Sequence, residues 1–368
     1  MSWIKKQFRP YWLQAILVII NTGFVGLLYL HFTKQDISLS HLFLAEFFSV
    51  VFITTILIIK RTYRMRGEIM IGFLLYAIAM IVVLNPFSFS VLYAFFILRG
   101  LGSIIFFIPY NIIYFSESKK DKNLQGMTWY WAVGVFAGAV APILGTFLFI
   151  HFGITIFLFT ALLLAVLAMY LSRYIPKEKY TYSRKEIFTH IKGLRTLNLI
   201  DGALHKVMMI VIPLWATRFL TDEIDFGIFL SLMGVVAIFV SLNMAKMSDR
   251  LQKRSIFIWP LSIATGIVTG LFFFATSVTH FLILALLLKA FNILISPLRS
   301  NIVQDKFEQS PLLWISREVY LNIGRIFMLA IVASMMFLGL EKEIFIFLAL
   351  LNILFPFVLY FKRVYRYN

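Results

Sequence analysis

Long apolar stretches alternate with short polar gaps along nearly the whole chain. Each stretch is about 20 residues long, the length that an α-helix needs to cross a hydrocarbon core of about 30 Å. The pattern predicts an all-α polytopic membrane protein with about twelve transmembrane helices. The predicted spans cover residues 11–31, 39–59, 67–84, 90–115, 127–150, 154–172, 198–217, 227–246, 255–275, 280–303, 312–339 and 343–361.

The lysines and arginines predict the orientation of these spans. Most of them lie in every second gap and near the two ends of the sequence, whereas the other gaps hold only Lys34, Arg218 and Lys342. Basic residues collect on the cytoplasmic side of membrane proteins. We therefore predict that both termini are cytoplasmic, which agrees with an even number of spans.

The longest polar interval divides the spans into two groups of six. We predict a first bundle over residues 1–175, a linker over 176–197 and a second bundle over 198–368. Within the linker, apolar residues such as Ile187 and Ile191 recur at helical spacing, which predicts an amphipathic helix on the inner membrane surface. Two six-helix bundles related by an internal repeat are typical of secondary transporters.

The fourth and tenth predicted spans carry a similar pattern, as expected of a repeat. Arg99 precedes Pro109 in the fourth span, and Lys289 precedes Pro297 in the tenth. Each pair places a cation near the middle of the membrane and a proline toward the predicted cytoplasmic end. This correspondence supports two pseudo-symmetric halves.

The composition leaves few other classes open. The chain is 61% hydrophobic, with a mean hydropathy of +0.89, and its net charge of +17 is spread over the gaps. This distribution predicts contact with anionic membrane lipids and no binding of nucleic acid. The chain has no cysteine, its six histidines lack metal-ligand spacing, and no phosphate-binding loop occurs. We expect no metal and no cofactor, and a monomer in the membrane.

The segment 245–254, between the eighth and ninth predicted spans, reads Ala-Lys-Met-Ser-Asp-Arg-Leu-Gln-Lys-Arg. It resembles the loop signature of the major facilitator superfamily, in which an Asp-Arg pair precedes a basic pair. The resemblance implies the two-bundle fold, a transport function and a gating role for Asp249 and Arg250. The equivalent loop of the first half, residues 60–67, keeps the basic residues but lacks the aspartate. A solvated tight turn is the alternative role of Asp249 and Arg250.

The fifth predicted span contains Gly134, Gly138, Pro142 and Gly145. This run resembles the fifth-span motif of exporters in the same superfamily, although Ala141 replaces the glycine before the proline. The resemblance implies a gating role for Gly134, Gly138 and Pro142. Small residues let helices approach closely and proline bends a helix, so ordinary close packing is the alternative.

Charged side chains inside the spans are the sharpest functional signal, because each costs several kcal/mol unless it is paired or reaches water. Arg99, Lys289 and Arg325 lie deep in their spans and give the interior a positive surplus. Asn322 shares a helical face with Arg325, and Asn21 adds a hydrogen-bonding group in the first span. We predict that these five residues bind substrate; structural ion pairs between helices are the alternative.

Acidic residues inside the spans are candidates for proton coupling. Glu46 is the only acid in the interior of a first-half span. A carboxyl group that is removed from water binds a proton more readily, so Glu46 is predicted to carry protons. Glu318 in the eleventh span and Asp201, one turn before His205 in the seventh, are further candidates. Hydrogen-bonded structural acids and, for Asp201, an interfacial salt bridge are the alternatives.

Together these residues predict a secondary active transporter that works by alternating access. The first hypothesis is an antiporter in a bacterial cytoplasmic membrane that exports an amphipathic small molecule in exchange for protons. The second is a transporter or flippase of an anionic or lipid-linked substrate, which the positive interior favours. The third is a membrane-embedded enzyme or scaffold. Because the sequence contains no convincing catalytic motif, we expect a protein that is not an enzyme.

Overall fold

The computed structural model describes residues 2–116, 123–248, 254–307 and 310–364, and the side chains of 11–114, 134–207, 209–241, 257–307 and 310–364. It confirms an all-α polytopic membrane protein. Within the described residues, eleven helices are long and apolar enough to cross a membrane. One of these holds two spans, so the prediction of about twelve spans is confirmed.

Most spans, numbered here in chain order, are single helices. Spans 2 to 4 and 8 to 12 are Leu39–Ile59, Met65–Val83, Phe89–Ser116, Glu223–Ser248, Arg254–Leu271 with a 3₁₀ turn at Phe272–Phe274, Val278–Lys306, Pro311–Phe337 and Glu343–Phe361. Their outer faces expose large apolar side chains such as Phe239 and Phe361. Such a surface is stable against hydrocarbon rather than against water.

Spans 5 and 6 form one continuous run from Asn123 to Ser172, which is interrupted at Gly153. Gly153 has a φ of 74° and a ψ of 173°. These angles lie in a region that glycine adopts without the steric cost of a side chain. The break falls between the two predicted spans and separates them without a loop.

Spans 1 and 7 each contain a π-helical segment in their middle. Span 1 consists of Ser2–Ile19, the π-helix Ile20–Val25 and Gly26–Thr33, and span 7 consists of Arg195–Lys206, the π-helix Val207–Val211 and Ile212–Ala216. In span 1, the side chains of Asn21 and Thr22 donate to the carbonyls four residues earlier and so compete with the α-helical pattern. In span 7, Pro213 lacks the backbone N–H of that pattern.

The loops on the basic side are joined by a small sheet. Strand β1, Thr62–Arg64, follows span 2 and pairs antiparallel with strand β2, Lys179–Thr181, in the linker. The ring of Tyr63 stacks on that of Tyr182, with centroids 6.0 Å apart, and burial raises the pKa of Tyr182 to about 12. Two of the predicted cytoplasmic gaps therefore lie on the same side.

The linker helix, Arg184–His190, turns its apolar face to protein. Ile187 and Ile191 are fully buried, and the hydroxyl of Tyr320 in span 11 donates a hydrogen bond of 3.2 Å to the carbonyl of Phe188. The sequence predicted a helix on the inner membrane surface. In the structure Ile187 and Ile191 pack against protein, including span 11, and Phe188 is half-buried. The position of the helix at the membrane surface stays a prediction.

On the opposite side, the two bundles touch through their loops. Lys34, after span 1, lies 2.5 Å from the carboxylate of Glu223 at the start of span 8. The ring of His41 at the start of span 2 lies 6.0 Å from that of Phe337 at the end of span 11. Along their length, span 2 packs against span 11 and span 5 against span 8. These helix pairs form the junction between the bundles.

Glycines set the closest helix crossings within each bundle. A Cβ on Gly324 of span 11 would lie 1.9 Å from the carbonyl oxygen of Leu199, and one on Gly202 of span 7 would lie 2.1 Å from that of Leu321. Only backbone without side chains allows this approach. Spans 7 and 11 are therefore locked together at a fixed depth.

Replacing Gly324 with alanine is expected to destabilise the protein by about 1–3 kcal/mol, because the added methyl group overpacks a backbone contact. The measurement is the unfolding midpoint of the purified protein in detergent. Gly270→Ala is the matched control, since its added Cβ would meet Ala349 at an ordinary 3.4 Å and alanine favours helix. Equal midpoints for the two variants would contradict the proposed crossing.

Candidate functional site

Glu46 of span 2 is the centre of a buried polar cluster in the first bundle. A guanidinium nitrogen of Arg99 in span 4 lies 2.5 Å from Oε1 of Glu46, and the hydroxyl of Tyr29 in span 1 donates to the same oxygen at 2.6 Å. The side chain of Glu46 is 0% exposed and that of Arg99 is 12% exposed. By the helical rise of 1.5 Å per residue, the two lie about 10 and 15 Å along their spans from the side opposite the basic loops.

A glycine lets span 4 approach span 2 at this depth. A Cβ on Gly100 would lie 1.9 Å from Oγ of Ser49, and that hydroxyl donates a hydrogen bond of 2.8 Å to the carbonyl of Phe96. The ring of Phe96 also lies 5.3 Å from the guanidinium carbon of Arg99, within range of a cation–π contact. The Arg99-Gly100 pair therefore has a structural explanation. Gly100 leaves room for span 2 to pack closely against span 4, and Arg99 pairs with Glu46 of span 2.

Asn21, in the π-helical part of span 1, joins the edge of this cluster. Its amide nitrogen donates to the hydroxyl of Tyr76 in span 3 at 2.8 Å. Tyr76 in turn lies close enough to Arg99 and Glu46 to interact with both electrostatically. Four spans of the first bundle thus contribute polar groups to one buried region.

The second bundle contains a network along one face of span 11. Arg325 lies 3.2 Å from the carboxylate of Glu318 and donates to the amide oxygen of Asn322 at 3.0 Å. Next to Glu318, Arg317 lies 3.3 Å from the carboxylate of Asp201 in span 7. Two of the predicted proton-coupling acids are therefore held by arginines, and the Arg317–Asp201 contact connects spans 7 and 11.

Lys206 and Lys289 are different from these arginines. Among the described residues, neither makes a hydrogen bond or an ion pair within 4.0 Å. Lys206 stands at the start of the π-helical segment of span 7 and interacts electrostatically with Glu46 and Arg99 of the first bundle. It also interacts electrostatically with Glu318 and Arg325 of its own bundle. Lys206 therefore interacts electrostatically with charged residues of both polar clusters.

Comparison with known proteins identifies the family. Residues 11–327 match the family model of the Major Facilitator Superfamily. The chain belongs to the major facilitator superfamily. Members of this superfamily are transporters rather than enzymes, so the prediction of a protein that is not an enzyme is confirmed by the family. No single curated protein matches the sequence.

Two solved structures share the superfamily fold. One is a bacterial homologue of the iron transporter ferroportin in an outward-facing state, with 16% identity and a TM-score of 0.68 over 98% of this chain and 97% of that chain. The other is a POT family transporter in complex with a thioalcohol-conjugated peptide, with 13% identity and a TM-score of 0.66 over 97% and 94%. At these identities the similarity concerns the fold alone.

The fifth-span residues of the superfamily motif lie where span 5 meets its neighbours. A Cβ on Gly145 would lie 2.1 Å from the carbonyl oxygen of Gly23 in the π-helix of span 1, while Gly134 and Gly138 face Val18 of that span. Pro142 lies inside the helix between them. The two residues of the loop signature, Asp249 and Arg250, lie outside the described residues.

Three residues of this site are not among the predicted proton-coupling, substrate-binding or gating residues. Tyr29 and Tyr76 reach Glu46 and Asn21 from other spans, and no spacing along the chain relates them to those partners. Lys206 lies five residues after Asp201, and the apolar pattern of the span does not single it out. Its position at the π-helical segment, about 15 Å into the span by helical rise, is the signal that distinguishes it.

Arg99→Met is expected to lower the unfolding free energy by about 3–5 kcal/mol, because it leaves the carboxylate of Glu46 buried without its counterion. Adding Glu46→Gln to Arg99→Met should restore a large part of this loss. Both are measured by unfolding in detergent. The control is Lys34→Gln, whose partially exposed ion pair is worth less than about 1 kcal/mol. A double variant less stable than Arg99→Met would contradict the pairing.

Proposed function

We propose that this member of the superfamily is a proton-coupled exporter of an amphipathic small molecule and that Glu46 carries the proton. The supporting observation is the one-sided bonding of the carboxylate. Arg99 and Tyr29 both donate to Oε1, while the buried Oε2 has no hydrogen-bond partner among the described residues. A buried acceptor without a partner is costly, and Oε2 is the oxygen of this carboxylate that is left free to accept a proton.

Protonation of Glu46 changes how the two bundles interact. The described titratable groups around Glu46 are Tyr29 of span 1, Tyr76 of span 3, Arg99 of span 4 and Lys206 of span 7. While Glu46 is charged, it attracts Lys206 across the junction and offsets the repulsion from Arg99. Once Glu46 is neutral, only the repulsion between the two cations remains. Proton binding thereby weakens the contact between the halves at this depth.

Two features support export. The run from Gly134 to Gly145 resembles the fifth-span motif of exporters, and it packs against both bundles. On one side it contacts span 1. On the other, a Cβ on Gly234 of span 8 would lie 2.4 Å from Cα of Ala139. Bending of span 5 at Pro142 would therefore change its packing against span 8 at the junction between the bundles.

Asp201 and Glu318 keep the role of secondary proton-coupling groups in this proposal. Both are bound by arginines on the part of span 11 that is nearest the basic loops. Opening of that side separates span 11 from span 2 of the first bundle and lets water reach these carboxylates, while spans 7 and 11 stay together. Their protonation then follows the conformational change, whereas protonation of Glu46 drives it.

Glu46→Gln is expected to abolish transport driven by a pH gradient and to leave exchange without a gradient intact, because glutamine keeps the shape of the site but cannot release a proton. The measurement uses proteoliposomes with a trapped pH-sensitive dye. A panel of aromatic amphiphiles with anionic, neutral and cationic head groups is offered on one side.

Glu68→Gln is the matched control. Glu68 is also a buried acid, but it pairs with Lys60 at the basic end of span 3 at 2.5 Å. This variant should retain the dye response of the unmodified protein. A Glu46→Gln protein that still accumulates any panel compound under a pH gradient would falsify the role of Glu46 as proton carrier.

A further inference from the structure

The small sheet on the basic side has two cations directly opposite each other. Arg64 of strand β1 and Lys179 of strand β2 are paired in register, and both side chains are exposed. Like charges at opposed positions of antiparallel strands destabilise the pairing. Basic residues are expected on this side of a membrane protein, but that rule does not require two of them to face each other across a sheet. The sheet therefore forms against an electrostatic cost.

Two further cations border a cavity at the other end of the sheet. Arg61, which precedes strand β1, and Arg184, the first residue of the linker helix, line this cavity together with Thr181, Tyr182 and Ser183. Its volume is about 560 Å³, which is in the usual range for small-molecule sites. The amide of Tyr182 donates to the carbonyl of Arg61 at 3.1 Å. The walls of the cavity therefore come from both the first bundle and the linker.

The four cations Arg61, Arg64, Lys179 and Arg184 have no carboxylate partner. Among the described residues, none of them forms an ion pair within 4.0 Å. Two acids near them are already bonded, because Glu68 pairs with Lys60 and Glu186 accepts from the amide of Ser183 at 2.6 Å. Glu178, which precedes Lys179, is exposed and is outnumbered by the cations. The sheet region therefore keeps a surplus of positive charge.

Hydroxyl groups lie among these cations. Oγ1 of Thr62 and Oγ1 of Thr181 are 3.4 Å apart across the sheet. The hydroxyl of Ser183 accepts from the amide of Glu186, so its own hydrogen stays available to donate. Arginine binds phosphate in a bidentate manner, and serine and threonine hydroxyls add further bonds to phosphate oxygens. The three acceptor oxygens of a phosphate group suit donors on two walls better than the two oxygens of a carboxylate.

We propose that this cavity binds a phosphate group, which is held by Arg61 and Arg184 together with the hydroxyls of Thr181 and Ser183. A soluble phosphorylated compound and the head group of an anionic lipid offer the same oxygens. The cavity lies about 20 Å along span 2 from Glu46 by helical rise. It is therefore a site separate from the cluster to which proton coupling is assigned.

A bound phosphate changes how firmly the linker is attached. Its oxygens connect Arg61 of the first bundle to Arg184 of the linker helix, and its negative charge offsets the repulsion between Arg64 and Lys179. The linker helix packs in turn on span 11 of the second bundle. Phosphate binding thus stabilises the sheet, and through the linker helix it acts on span 11. This arrangement makes the site a regulatory one.

The test measures amide hydrogen exchange of residues 61–65 and 178–182 in the full-length protein, which is held in an uncharged maltoside detergent. The soluble probe is pyrophosphate, compared with sodium chloride at the same ionic strength so that screening of charge is equal. Pyrophosphate is expected to slow exchange in both segments about threefold more than chloride does. The lipid probe is phosphatidylglycerol added to the micelles, compared with a glycolipid that lacks phosphate.

Variants of single cations connect any protection to the proposed site. Arg61→Gln and Arg184→Gln should each reduce the effect of the phosphate probe to that of its phosphate-free counterpart. Lys179→Thr should slow exchange without any probe, because it removes the pair of like charges and threonine favours strands. The matched control is Lys192→Gln, an exposed linker lysine outside the sheet, which should respond like the unmodified protein.

The two probes also identify the source of the phosphate. Protection by pyrophosphate indicates a soluble ligand, protection by phosphatidylglycerol indicates a lipid, and protection by both indicates a site that accepts either. The inference is overturned if neither probe protects the sheet more than its phosphate-free counterpart, which would leave only screening of charge. It is equally overturned if Arg61→Gln and Arg184→Gln keep the full protection.

Discussion

The pairing of Glu46 with Arg99 is the interaction on which the first bundle depends. A carboxylate and a guanidinium lie among apolar helices, and because the carboxylate is fully buried, its pairing with the guanidinium replaces the water that it has lost. Glycine at position 100 brings the two helices close enough for them to meet, and Tyr29 adds a third helix to the contact. The charge of one residue thereby determines how three spans pack, and any change in that charge is transmitted to all of them.

The two bundles deal with buried charge in different ways. The first bundle uses one tight pair with an aromatic hydroxyl. The second uses a network along span 11 and leaves two lysines outside it. Both bundles nevertheless begin with a span that changes from α- to π-helix in the middle, next to a polar residue: Asn21 in span 1 and Lys206 in span 7. π-helical turns in longer helices are frequent at functional sites, and here they occur at matching positions of the repeat.

Much of the fold could be predicted from the sequence, because hydropathy and the distribution of basic residues are strong signals over a window of 20 residues. Signals that depend on a few residues were weaker. The two strands, which contain Tyr63 and Tyr180, have three residues each, and this is too short for a periodic pattern of apolar residues. The π-helices preserve the apolar composition of their spans, so hydropathy does not reveal them.

The sequence identifies several charged residues of the site, but only some of the contacts between them. Arg99, Glu46 and Arg325 stand out because each interrupts an apolar run. The spacing of Glu318, Asn322 and Arg325 placed them on one helical face. The contact of Asp201 with Arg317, in contrast, joins residues 116 positions apart, and the isolation of Lys289 depends on what surrounds it in space. Neither the Asp201–Arg317 contact nor the surroundings of Lys289 can be inferred from the residues that are adjacent in the sequence.

The sheet on the basic side has a mechanical consequence. Strand β2 is hydrogen-bonded to the first bundle up to Tyr182, whose amide donates to the carbonyl of Arg61, while the linker helix begins at Arg184 and packs on span 11. Only Ser183 separates the two attachments, and a residue extends by at most about 3.6 Å. The linker therefore limits how far the two bundles can separate on the basic side to a few ångströms, unless strand β2 leaves strand β1 or the linker helix detaches from span 11.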